Sequence, residues 1–170
     1  MAQNEHQQEK SNGRAGVLRE AILRTFPAER YAGKITNYDN DCLLELTQDS
    51  ESLDDEKYFY EAVSGHVWTE IPKGYLQREP DGFLRLSDEA FAAFLPAWLM
   101  ESLENMDGEN IVREFVVYSF SSDTRQFRLL KPEQQSTLRM LLVEFSEREP
   151  SSFIRQRARE AVELIDRKLY

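Results

Sequence analysis

Few side chains in this sequence could do acid–base or nucleophilic chemistry. There are two histidines, of which His6 lies in a Gln-, Asn- and Glu-rich N-terminal stretch and His66 in S-G-H-V-W-T-E-I-P, near Trp68 and Glu70. General acid–base catalysis needs a tuned group, a partner that orients it and a nucleophile or substrate group in reach. The neighbourhood of His66 offers no such motif, so it reads as a surface or helix-terminal histidine. The single cysteine, Cys42, stands beside Leu43 and Leu44 and reads as a small buried hydrophobe. It excludes an internal disulfide and a multi-cysteine zinc site. No G-x-S-x-G elbow occurs. An enzyme, such as a hydrolase, would have to use His66 with nearby carboxylates, and no catalytic residue is assigned.

Cofactor chemistry has little to stand on. Neither G-x-G-x-x-G nor G-x-x-x-x-G-K-[ST] is present, so no phosphate cradle and no cofactor are expected. Asn37, Asp39 and Asp41 alternate like the start of a calcium loop, but Cys42 stands where that loop needs glycine and Gln48 where it needs a bidentate glutamate. No metal site is expected.

The acidic balance says more. The formal net charge is -10, from 31 acidic and 21 basic residues, which works against broad contact with a nucleic-acid backbone. Between Asp39 and Glu61 nine acidic residues face only Lys57 among bases. A solvated loop and helix start is the plain reading of that run. The functional reading is a docking face for a basic protein partner, with Asp54, Asp55 and Glu56 supplying charge and Tyr58, Tyr60, His66 and Trp68 supplying contact. An immunity-type protein that masks a basic toxin is one concrete form of it.

These residues need elements to hold them. A chain of 170 residues suits one domain, and few glycines and prolines favour long helices with short links. Residues 1–14 read as a mobile N-terminal tail, and 15–170 as a single helical domain. Val17, Leu18, Ala21, Ile22 and Phe26 recur at helical spacing until Pro27. CLLEL at 42–46 fits a strand or one helical turn. Ser52 followed by acidic residues starts a helix that Gly65 ends, with Leu53, Tyr58 or Phe59, Ala62 and Val63 as its apolar face. Residues 66–86 form a connector, too long to lie free, anchored by Trp68, Ile71, Tyr75, Leu76 and Phe83. IVREFVVYSFS is assigned to a helix rather than a strand, because a lone strand lacks a partner. Pro132 opens the next helix and Pro150 closes it, with Leu138, Leu141, Leu142 and Phe145 on one face.

The last helix carries Ile154, Ala158, Ala161, Val162, Ile165 and Leu169 as its stripe, with a Ser151 or Ser152 cap. Its arginines could pair with the acidic segment of the same chain or of a neighbour.

The segment LSDEAFAAFLPAWLMESL at 86–103 is the most strongly patterned. Phe91, Phe94, Leu95, Trp98, Leu99, Ser102 and Leu103 share one face, and Ser87 is placed to cap it. Pro96 removes one backbone hydrogen bond and costs about 3 kcal/mol. Burying that face returns roughly 1.5–3 kcal/mol per large side chain, and the stripe keeps its phase, so a kinked but continuous helix results. The expected fold is all-α: five or six helices around this Pro-kinked centre, the two C-terminal helices packed on it as a hairpin, with at most one minor β element.

The sequence L-S-D-E-A-F-A-A-F-L-P-A-W-L at 86–99 resembles the signature of a family of uncharacterised bacterial proteins, a domain of unknown function. SGHVWTEIP at 64–72 and LKPEQQ at 130–135 are also similar to it. The resemblance spans about residues 17–148 and implies a shared fold and bacterial origin; it implies no catalytic residue.

No apolar run approaches the length of a membrane span and no signal-peptide core is present, so a cytoplasmic, reduced protein is expected.

Overall fold

The described residues form seven α-helices rather than the five or six expected, the additional one being a short helix in the connector. The computed structural model describes residues 2–36, 50–123 and 125–169, and the side chains of all these except 2–12, 50–54, 56, 168 and 169. The helices are α1 (Ala2–Thr25), α2 (Ser50–Val63), α3 (Lys73–Arg78), α4 (Asp88–Ser102), α5 (Ile111–Ser122), α6 (Pro132–Arg148) and α7 (Ser152–Leu169). Single 3-10 turns at Trp68–Glu70, Gly82–Arg85 and Gln126–Leu129 link them. The β structure among the described residues is one bridge between Thr36 and Leu86. The CLLEL run and the Asn37–Asp39–Asp41 alternation lie outside the described residues.

α1 begins at Ala2, so the stretch 1–14, expected as a tail, has helical backbone over most of its length. No proline precedes residue 27, and Gln, Glu and Lys propagate a helix well once a packed turn anchors it. That anchor is Ala15, Leu18, Ala21, Ile22 and Phe26, all buried. Val17, expected in the stripe, is 58% exposed; it stands one residue before Leu18, about 100° around the helix.

α4 is the spine. Every residue of its expected face is buried, from Phe91 to Leu103. Ser87 Oγ accepts from the Ala90 amide at 3.1 Å, and Asp88 and Glu89 stand at the positive end of the helix dipole. The helix runs through Pro96 without a break.

The connector packs down through its anchors, all buried, and it contains α3, which no periodicity announced because six residues show less than two turns. The Trp68 indole donates to the Phe26 carbonyl at 3.1 Å and the Trp98 indole to the Glu79 carbonyl at 3.0 Å. A Cβ on Gly82 would stand 2.9 Å from the Trp98 ring, so only glycine fits there. Gly65 ends α2 with φ +75°, the left-handed cap expected of it.

α5 is a helix, as expected, capped by Asn110 Oδ1 accepting from the Arg113 amide at 3.0 Å. α6 and α7 form a hairpin, but not one packed directly on α4 as expected: α7 packs chiefly on α6 and α5, and α6 also meets α1. Val112, Val116, Val117 and Phe120 of α5 supply apolar surface in that packing, so α5 stands between the hairpin and α4.

Arg113 ties this corner together. It is fully buried and bridges 2.6 Å to the equally buried Glu149. Its Nε donates to the Ser102 carbonyl at 2.9 Å, Nη1 to that of Gly108 at 3.1 Å, and Nη2 to those of Glu104 and Asn105 at 2.8 and 3.0 Å. Every guanidinium donor is used. The end of α4, the turn after it and the corner between α6 and α7 are thereby held by one side chain.

Candidate functional site

α2 carries the expected contact residues. Its helical register buries Phe59 and Val63, which decides between Tyr58 and Phe59 as the inward residue. Tyr58 and Tyr60 flank Phe59 and are 38% and 39% exposed. Being two residues apart they project on opposite sides of the buried stripe, so they serve two faces rather than one. Asp55 is exposed and, three residues before Tyr58, shares its side of the helix. The side chains of Asp54 and Glu56 lie outside the described residues.

The Tyr58 ring is held in place by α3. Its centroid is 5.3 Å from that of Tyr75, and the Arg78 guanidinium carbon sits 3.9 Å from it. Tyr75 is buried and packs also against Phe59, 6.4 Å between centroids. The result is an aromatic ring part exposed, backed by a core tyrosine and capped by an exposed arginine, on a helix rich in carboxylates. Tyr75 and Arg78 are the members sequence reasoning missed. The only signal for them is aromatic and basic character in the connector, since their partner is about twenty positions away.

The other two expected contact residues are elsewhere. Trp68 is a core anchor, bonded to the end of α1 through its indole nitrogen. His66 is half-buried just past the α2 cap, and its Nδ1 donates to the Ser64 carbonyl at 3.0 Å. The orienting partner is a backbone carbonyl of the same turn, and no carboxylate bonds this ring among the described residues.

No group of three or more His, Cys, Asp or Glu side chains placed to hold a metal occurs among the described residues. No described helix is long and apolar enough to cross a membrane. The basic side chains of α7 answer to near neighbours: Arg155 donates to the carbonyls of Glu149 and Pro150, Arg157 meets Glu160 at 3.1 Å and Arg167 meets Glu163 at 3.1 Å. The acidic run 39–61, their expected partner, lies largely outside the described residues.

No family model, curated protein or solved structure matches this chain.

Proposed function

We propose that this chain is a small cytoplasmic protein-binding or regulatory protein that contacts a basic protein through the acidic face of α2. The observation that carries the reading is Tyr58, exposed yet held between Tyr75 and Arg78. A preordered aromatic loses little conformational freedom on binding, and tyrosine and arginine are the residue types that dominate contact energies. Asp54, Asp55 and Glu56, in the turn before it, would steer a basic surface toward that anchor. The net charge of -10 argues against a nucleic-acid partner. An immunity-type role, masking a basic toxin, is the most specific form of this reading. The bacterial origin implied by residues 86–99 is compatible with it. The enzyme reading has less to stand on, because among the described residues the hydrogen bond of the His66 ring is to a carbonyl of its own turn.

Copurification from a lysate of the source cell tests the proposal. Strongly basic proteins are expected on the native chain and not on a variant carrying Asp54→Lys, Asp55→Lys and Glu56→Lys. Retention of every captured partner by that variant overturns the docking face.

A further inference from the structure

A second candidate site lies where the connector meets α1 and α4. Leu23 of α1, Trp68, Ile71, Leu76 of α3 and Met100 of α4 line a cleft of about 270 Å³. Its polar residues include Lys73, Glu101 and Glu104. Glu101 is the unexpected member. It is 4% exposed and sits in the last turn of α4, where the helix dipole disfavours an anion. A buried carboxylate in apolar surroundings is costly unless its oxygens are answered. One oxygen is: Oε1 accepts from Gln77 Nε2 at 2.9 Å. Oε2 makes no hydrogen bond or ion pair among the described residues and is not itself fully buried, so it reaches solvent at the cleft. Glu104, by contrast, has Lys73 at 3.5 Å and Arg19 at 3.4 Å.

We propose that this cleft binds a cationic group on an apolar stem, an ammonium or guanidinium carried by a short alkyl or aryl chain, with Glu101 taking the charged head. Trp68, Ile71, Leu76 and Met100 receive the stem. Lys73 and Arg19 both answer Glu104, whereas Glu101 has only the neutral Gln77 amide, so the carboxylate left to meet a cation, and to repel an anion of the same shape, is that of Glu101. The volume falls just below the usual range for small-molecule sites, which suits one small amine or one arginine or lysine side chain of a partner protein. Lys73 is 72% exposed at its side chain and competes with the incoming cation for the acidic end.

Nuclear magnetic resonance of the full chain tests this, reading the Trp68 indole N–H during titration with phenethylamine, phenylacetate and the blocked tripeptide acetyl-Gly-Arg-Gly-amide. Phenethylamine is expected to give a saturable shift, and phenylacetate none. Glu101→Gln should weaken phenethylamine about tenfold or more, the scale of a lost charge-assisted bond. Lys73→Ala, an exposed change that leaves the core alone, should tighten it about threefold. Binding of the tripeptide at the same residues supports a partner's side chain as the source; binding of the amine alone supports a free metabolite. Absence of a saturable shift, an equal response to phenylacetate, or an affinity unmoved by both substitutions overturns the proposal. Should Glu101→Gln fail to fold, Lys73→Ala decides: unchanged or weaker binding overturns it.

Discussion

Arg113 and Arg78 sit in regions that use the same guanidinium for opposite purposes. At the corner of α4, α5 and the α6–α7 turn, Arg113 is fully buried and spends its donors on four carbonyls and Glu149. On the α2–α3 face, Arg78 is exposed and lies 3.9 Å over a ring that is itself part exposed. A saturated buried network holds backbone in place and leaves nothing for a partner. An exposed aromatic with an arginine against it holds little and keeps its contact area available. The first region is expected to matter for stability, the second for recognition.

The largest test of that contrast is Arg113→Ala. It leaves Glu149 charged and buried without its partner, and a loss of about 3–5 kcal/mol is expected in urea unfolding. The double variant Arg113→Met/Glu149→Leu should recover much of that loss, since a well-packed apolar pair avoids the desolvation cost. If it recovers nothing, the carbonyl bonds rather than the ion pair hold the corner. Tyr58→Ala probes the other side. Loss of an exposed cation–π contact should cost about 1 kcal/mol or less, while capture of basic partners should fall sharply; a stability loss as large as that of Arg113→Ala would erase the distinction.

The smallest effect concerns Asp166, which lies between these extremes. Arg139 bonds it in two places, Nε to Oδ1 at 2.7 Å and Nη2 to Oδ2 at 2.8 Å. That hydrogen bonding, reinforced by the guanidinium charge and opposed by partial burial, holds its carboxyl below the usual range. A depressed carboxyl contributes stability above its unfolded value, near pH 4, and loses it as pH falls through its folded value. Both side chains are more than a third exposed, so solvent screening limits the effect to about 0.5 kcal/mol. Asp166→Asn should therefore differ slightly from the native chain at pH 7 and converge with it in thermal unfolding near pH 2. A difference that persists at pH 2 would assign the effect to packing.

Much of the fold was legible because helices write their buried face every three or four residues. The α4 stripe, the Gly65 cap, the Pro132 start and the connector anchors all follow from positions within one turn or one segment. What escaped was set by other segments. Val17 fits the α1 pattern, yet it lies beside the stripe that reaches the core. The stretch before residue 15 has no apolar period, yet it continues a helix that packing anchors farther on. Of the candidate site, Asp55 and Tyr58 were legible as exposed residue types on a helix. The backing of Tyr58 by Tyr75 and Arg78 was not, and Trp68 was read as a contact although it serves the core.

The sequence by itself determined an all-α fold class, the inward face of its central helix, and the lack of a motif for nucleophilic or phosphate chemistry, because each depends on neighbours within a few residues. Only the tertiary structure decided that α5 stands between α4 and the C-terminal hairpin, that Arg113 meets Glu149 across 36 positions, and that Glu101 faces an apolar cleft. Those outcomes depend on how whole helices pack, and packing is settled by the shapes and volumes of surfaces that meet from distant parts of the chain.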